Sequence, residues 1–250
     1  MISLKPITLA IVALSALVAC ETAPITGRNQ LILVGEQQVQ ALGLQAYNQM
    51  KEEKPLSRDR ALIRRVEEVG RNVARVSPKP DWDWEFNVFD DDSPNAFALP
   101  GGKVGVNSGL FKVAKNDDQL AAVIGHEVAH AIARHGAERM SQGQLAQAGG
   151  AVVALGTGSQ AYTSAYAVLA QYGFALPNNR TQESEADHIG LLYMAEAGYD
   201  PRAAVDLWRN MEAAGAGGQA EWLSTHPSPG NRIARLQELM PQALEVYRPR

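Results

Sequence analysis

The chain has 250 residues, a formal net charge of −4, and 46% hydrophobic and 20% charged residues. That balance suits one globular domain with a sizeable core and excludes a disordered chain. It also excludes a basic nucleic-acid-binding surface: the few cationic clusters, such as Arg58, Arg60, Arg64 and Arg65, fall at helical spacing and read as a solvated helix face.

Residues 1–19 read as a secretory signal, in which Lys5 precedes an apolar run from Ile7 to Val18. The run is too short to cross a bilayer as a helix, which needs about 20 residues. Leu17-Val18-Ala19-Cys20 resembles the bacterial lipobox, so Cys20, the only cysteine, is the expected lipidation site, with cleavage just before it. Acyl chains at that position make a membrane anchor effectively permanent. The domain then faces the periplasm or the cell exterior, and Glu21, standing where Asp would favour inner-membrane retention, leans towards the outer membrane. Residues 20–30, with Pro24 and Gly27, are expected as a lipidated, flexible tether, and 31–250 as the folded domain.

Apolar residues recur at three and four over Glu36–Met50 and Arg58–Val76, which predicts two amphipathic helices. Trp84, Phe86 and Val88 alternate with polar residues, and a second apolar stretch runs from Ala96 to Leu99. A turn at Pro100-Gly101-Gly102 then leads into Val104 and Val106, so the region is expected to form a small antiparallel sheet. Asp90-Asp91-Asp92 lacks the Gly and terminal Glu of a calcium loop and reads as a solvated turn. Asn116 with Gln119 resembles a capping box, opening a helix expected to run to Gly136. The Gly-, Ala- and Ser-rich stretch Ser141–Ala175 is expected as short irregular helices or a mobile flap. Three more helices are predicted: Gln182–Ala197, one capped by Asp200-Pro201, and one introduced by Ser228-Pro229 that ends near Met240.

The chemistry is concentrated in His126-Glu127-Val128-Ala129-His130, inside a predicted helix. Residues four apart stand one above the other, so the two imidazoles can share a tetrahedral ion. Glu127, about 100° round the axis, can reach a water on that ion without ligating it. A catalytic zinc takes three protein ligands and keeps one position for water. Candidates for the third are His135, Glu183, Glu185, Asp187, His188 and His226, and spacing alone does not choose among them.

HEVAHAIARH, followed by ESEAD and then THPSPGNRI, resembles the membrane-associated zinc peptidase family that includes the CAAX prenyl protease, HtpX, Oma-type proteases and the periplasmic BepA and LoiP proteins. The likeness runs from about Pro24 to near Leu236, and lipoprotein members are the expected nearest kin. It implies an α+β, mainly α-helical, zincin-like (gluzincin) domain with one zinc ion held by His126, His130 and Glu183. Asp187, four residues past Glu183, is then placed to accept a hydrogen bond from a ligand imidazole, His126. Glu185 is expected to point away as a surface or salt-bridging residue, and His135 and His188 to be structural. His226 and Arg232 are implied at the cleft, stabilising the oxyanion, with His226 alternatively filling the fourth zinc position. Asn95, Ala96, Phe97 and Ala98 are implied as the edge on which a peptide substrate aligns. The expected activity is hydrolysis of unfolded or misassembled envelope proteins by a zinc-activated water, with Glu127 as general base. The alternatives are a non-proteolytic, chaperone-like lipoprotein with a silenced site and a small-molecule metal hydrolase. Nothing in the sequence sets the oligomeric state.

Overall fold

The computed structural model describes residues 20–145, 179–216, 226 and 231–250. The expected signal segment and most of the Gly/Ala/Ser-rich stretch lie outside the described residues, as does Ser228-Pro229. In chain order the elements are β1 (Cys20–Thr22), β2 (Asn29–Leu31), α1 (Glu36–Glu53), α2 (Arg60–Val76), β3 (Glu85–Phe89), β4 (Ala96–Leu99), β5 (Lys103–Asn107), α3 (Asp117–Ile132), α4 (Arg180–Glu196), α5 (Ala203–Ala216) and α6 (Arg232–Val246). A 3-10 turn, Ser108–Lys112, joins β5 to α3. The fold is mainly helical, with small sheets, and no described helix is long and apolar enough to cross a membrane.

The sheet beside α3 differs from the expectation of antiparallel pairing throughout. Its order is β3-β5-β4: β4 pairs with β5 antiparallel, as the three-residue turn between them dictates, but β3 pairs with β5 in parallel. The β3–β4 connection carries the chain past the site that β5 later fills. It is pinned by Gly109 N–H and Ser108 Oγ, which donate to Asp91 O at 2.8 and 3.0 Å. Alternation along a strand reports its two faces and says nothing of which neighbour lies beside it, so strand order was not readable. Being central, β5 is buried at every position. β4 is left as the free edge. The Asp90–Asp92 stretch is indeed a turn: Lys54 Nζ donates to Asp91 Oδ2 at 2.7 Å, and Lys112 pairs with Asp92.

The core lies where α2, the sheet and α3 to α6 meet, and includes Val66, Val73, Phe86, Val104, Leu120, Ile124, Ile189, Met194 and Leu207. α3 and α4 cross at Gly125 and Gly190. A Cβ on Gly190 would sit 2.7 Å from His126 N and 2.8 Å from Gly125 C, and one on Gly125 would sit 2.8 Å from Gly190 O. Backbone therefore rests on backbone, which draws the residues one turn either side of the crossing to short range.

Two further expectations change. The segment foreseen as a flexible tether is a hairpin, β1 pairing with β2 antiparallel from Cys20↔Leu31 to Thr22↔Asn29, and Arg28 ties it to Glu138 and Glu185. The charge partners lie more than a hundred residues away, which is why local composition read as a spacer. Moreover, α3 ends at Ile132, not Gly136, because Arg134 turns into the left-handed region (φ 58°) before the chain becomes helical again at residue 135. α6, for its part, continues through Pro241 to Val246, past the stop expected near Met240.

Candidate metal centre

α3 is started by Asn116, whose side chain accepts from Gln119 N–H at 2.8 Å, while Gln119 Oε1 accepts from Lys115 N–H. α4 is started by a complete capping box between Asn179 and Gln182. Every residue of α3 from Gln119 to Ile132 is buried, so its two histidines point into the protein rather than into water. From α4, Glu183 stands in the first turn, where the helix dipole favours an anion.

Four side chains converge. His126, His130, Glu183 and His226 each offer a ligand atom, and these atoms lie within 4.8 Å of one another. His126 Nε2 and His130 Nε2 are 3.0 Å apart, Glu183 lies 3.4 Å from the first and 3.2 Å from the second, and His226 Nδ1 lies 3.0 Å from Glu183 Oε1.

Hydrogen bonding sets the tautomers. His126 Nδ1 faces Asp187 Oδ1 at 3.0 Å, and because a carboxylate only accepts, the proton sits on Nδ1 and the lone pair on Nε2. His135 Nε2 faces Glu185 Oε2 at 3.0 Å, so it donates there and presents the Nδ1 lone pair to His130 Nδ1 at 2.7 Å. His130 must then donate from Nδ1, leaving its own lone pair on Nε2. Two nitrogen lone pairs and a carboxylate thus face one point, an arrangement that calls for a cation. Two imidazoles with one carboxylate is the donor set of a catalytic zinc site.

The acids of the site attract positive charge strongly, and without an ion a second proton on His126 takes the place that its Nε2 lone pair would offer to a metal. Burial lowers the affinity of His126 for a proton, but Asp187 and Glu183 beside it more than compensate and raise its pKa to about 9. Burial pushes the Glu183 carboxyl up, yet hydrogen bonds from His126, His130 and His226 outweigh it and hold the group far below the usual carboxylate range. His130, mainly through burial, is pushed well below the usual histidine value. Glu127 is raised by burial. Its Oε2 accepts from Ala98 N–H at 3.2 Å, and its Oε1, 3.5 Å from His226 Nε2, has no hydrogen-bond partner among the described residues.

Other expected site residues fall as follows. Arg232 is 2% exposed. It stacks on Trp208 at 3.4 Å and donates from Nη2 to Glu183 at 3.1 Å and Asp187 at 2.6 Å, so it lies against the two acids of α4 that face the histidine cluster. Asn95 precedes β4, whose Ala96, Phe97 and Ala98 form the free sheet edge, with Ala98 touching Glu127. Cys20 begins β1. His188 bonds Gln242 at 3.0 Å, away from the cluster. Glu185, expected as a surface or salt-bridging residue, does form salt bridges, to His135 and Arg28, but is buried rather than on the surface. His135 is fully buried and touches His130 directly, a role that sequence spacing missed. In a continuous helix, residues five apart lie about 140° round the axis, so only the break at Ala133-Arg134 brings these rings together. The one sequence signal was the third histidine of HEVAHAIARH itself.

Comparison with known proteins agrees with this geometry. Residues 57–240, from just before α2 into α6, match the sequence model of Peptidase family M48. The chain is 42% identical over 181 residues to the mitochondrial metalloendopeptidase OMA1 of Schizosaccharomyces pombe, covering 71% of the chain and 53% of the relative. It is 35% identical over 248 residues to the human mitochondrial metalloendopeptidase OMA1, covering 90% and 47%. To the beta-barrel assembly-enhancing protease of Escherichia coli it is 29% identical over 241 residues, covering 91% and 50%. The chain spans about half the length of these curated relatives.

Proposed function

The chain belongs to peptidase family M48, and from that premise we propose that it is a zinc-dependent endopeptidase that cuts unfolded or misassembled proteins of a bacterial envelope. The observation that carries the reading is the convergence of His126, His130 and Glu183 on one point with Glu127 beside it. A divalent ion held by those three residues supplies Lewis acidity to a water and to the scissile carbonyl.

The chain's own groups do the rest. Glu127 Oε1, buried and without a hydrogen-bond partner among the described residues, takes the proton from the attacking water and passes it to the leaving amine. Burial raises its proton affinity, which suits a group that must both receive and release a proton. Asp187, and His135 with Glu185, keep the two ligand imidazoles with their Nε2 lone pairs inward. The free edge of β4 aligns an extended peptide, and because Ala98 touches Glu127, the peptide bond lying along that edge comes up against the base. Arg232 steadies Glu183 and Asp187 through Nη2, while Nε and Nη1, with no partner among the described residues, remain for developing negative charge. His226 offers a fourth donor within 4.8 Å of the others and would close the site if it took the place of the water.

Lipid attachment at Cys20 would hold the enzyme at the outer membrane, facing the periplasm. The lipobox-like run and the likeness to the Escherichia coli protease support that location, whereas the OMA1 relatives are mitochondrial by name. Kinship with several metalloendopeptidases counts against a purely chaperone-like lipoprotein.

The decisive experiment compares cleavage of casein or an unfolded outer-membrane protein by the parent, by Glu127→Gln and by a chelated sample. The variant is expected to lose activity by on the order of 10²–10⁴-fold while retaining one zinc per chain, and chelation to abolish cleavage. Equal cleavage in all three arms would overturn the reading.

A further inference from the structure

The Arg28 guanidinium in the N-terminal hairpin lies three hydrogen bonds from a ligand imidazole, and each link is explicit. Arg28 Nε donates to Glu185 Oε2 at 2.7 Å, and Thr26 Oγ1 donates to Glu185 Oε1. His135 Nε2 donates to the same carboxylate at 3.0 Å, and His130 Nδ1 donates to His135 Nδ1 at 2.7 Å. The direction of every bond is forced, because Arg28 can only donate and Glu185 only accept.

The rest of the hairpin grips the break after α3 that makes this chain of contacts possible. Arg28 also forms a two-pronged pair with Glu138, Nη1 to Oε1 at 2.8 Å and Nη2 to Oε2 at 2.9 Å. Arg134, the residue forced to φ 58°, pairs with Glu21 and donates to Val34 O at 3.1 Å, while Ser141 Oγ accepts from Leu33 N–H at 2.8 Å. A non-glycine residue in the left-handed region is costly and persists only where its surroundings impose it. Here the segment 21–34 supplies those surroundings.

We propose that the N-terminal hairpin is a positioning part of the metal centre: Arg28 and Thr26 hold Glu185, Glu185 orients His135, and His135 fixes the tautomer and ring plane of His130. The two ligand histidines are therefore served unequally. His126 has a carboxylate of its own in Asp187, which lies on the helix that supplies Glu183, whereas His130 borrows one through a second imidazole whose anchor sits at the N-terminal end of the domain. Any displacement of residues 21–34, the stretch next to the expected lipid anchor, is transmitted to the affinity of the site for its ion. The proposal rests on the reading that His126, His130 and Glu183 hold that ion.

The test measures the zinc dissociation constant of the full chain in detergent, by competition with a colorimetric chelator. His135→Leu removes the acceptor for His130 Nδ1–H and is expected to weaken zinc binding by about 10–100-fold; His135→Asn, whose Oδ1 replaces that acceptor, should recover most of the loss. Arg28→Ala, at a position 23% exposed, is expected to weaken zinc about tenfold, the low end of the range for residues behind a ligand. Val73→Ala, a core change remote from the network, should lower the melting temperature and leave the dissociation constant unchanged. Unaltered zinc affinity in Arg28→Ala overturns the proposal while leaving the metal site intact. So does equal loss in the two His135 variants. A parent that binds no zinc overturns the earlier reading, and this one with it.

Discussion

Ala98 on the free edge of the sheet donates its backbone N–H to Glu127 Oε2 at 3.2 Å. In the β4–β5 register Ala96 and Ala98 oppose Val106 and Val104, and the ladder bond beside them runs from Asn107 N–H to Asn95 O, so the amides of Ala96 and Ala98 face outward. Both are already engaged, Ala98 by Glu127 and Ala96 by Asn95 Oδ1 at 2.9 Å. The edge is thus protected in the resting protein, and on the proposed reading a peptide adding to it must displace internal acceptors, one of which is Glu127, the proposed base.

Replacing Ala96 with Pro removes an outward amide and leaves the β5 ladder intact, since Pro is tolerated where a strand's N–H faces away from its partner. KM for an unfolded polypeptide is expected to rise about tenfold, roughly the 1.4 kcal/mol of one lost peptide hydrogen bond, with zinc content unchanged. Steady-state kinetics beside a metal assay checks this. Unaltered KM would mean that substrates do not use this edge.

Arg232 is the cation that the buried pair Glu183 and Asp187 lean on. Arg232→Ala leaves two buried carboxylates short of positive charge and is expected to cost about 3–5 kcal/mol of stability without metal. A bound divalent ion supplies part of the missing charge, so the loss measured by urea unfolding should shrink at saturating zinc. An equal loss with and without zinc would mean that Arg232 and the ion do not act on the same two acids.

The crossing of α3 and α4 predicts the effect of a single methyl group. Gly190→Ala puts a Cβ 2.7 Å from His126 N, against backbone that no rotamer change can move. The helices must separate, at about 1–3 kcal/mol, and zinc affinity should fall as well, since His126 and Glu183 are carried on opposite sides of that contact. Gly35→Ala, where a Cβ meets nothing within 4 Å, is the control. Thermal melts and chelator competition report the two effects separately.

Asp91 ties down the connection between β3 and β4. Hydrogen bonds from Lys54 and Ser93, opposed by burial, lower its pKa to about 2, against about 3.9 in an unfolded chain. A depressed pKa in the folded state means that the contribution is complete above about pH 4 and is lost as pH falls through about 2. Solvent screens this partly exposed pair, so Asp91→Asn is expected to cost only about 0.2–1 kcal/mol at pH 7. Urea titrations from pH 7 down to pH 3 should show the gap between parent and variant narrowing; a gap independent of pH would refute the ion pair.

How far the sequence could be read varies with the range of the interaction. The apolar periods located α1, α2, α3 and α4 to within a few residues, because each pattern repeats inside one element. The Pro100-Gly101-Gly102 turn announced the β4–β5 hairpin, but nothing in the alternation of β3 told that β5 would slip between it and β4. The tether was misread because the groups that pin it, Glu138 and Glu185, are distant in sequence.

The same division runs through the site. The sequence by itself determined that His126 and His130 share a helix face with Glu127 beside them, since a spacing of four inside a continuous helix admits little else. Family resemblance alone added Glu183, and Asp187 followed from its spacing of four on the same helix. Only the tertiary structure decided what orients His130, because the spacing rule fails past Ile132, where α3 ends and Arg134, in the left-handed region, redirects the chain into His135. It decided too that Glu185, one position from Ala186 in the core and two from Glu183, turns to meet an arginine from the start of the domain. Contacts within a helix follow from its pitch. Those between a helix, a helix break and a distant hairpin depend on how the whole chain packs, and no local pattern encodes them.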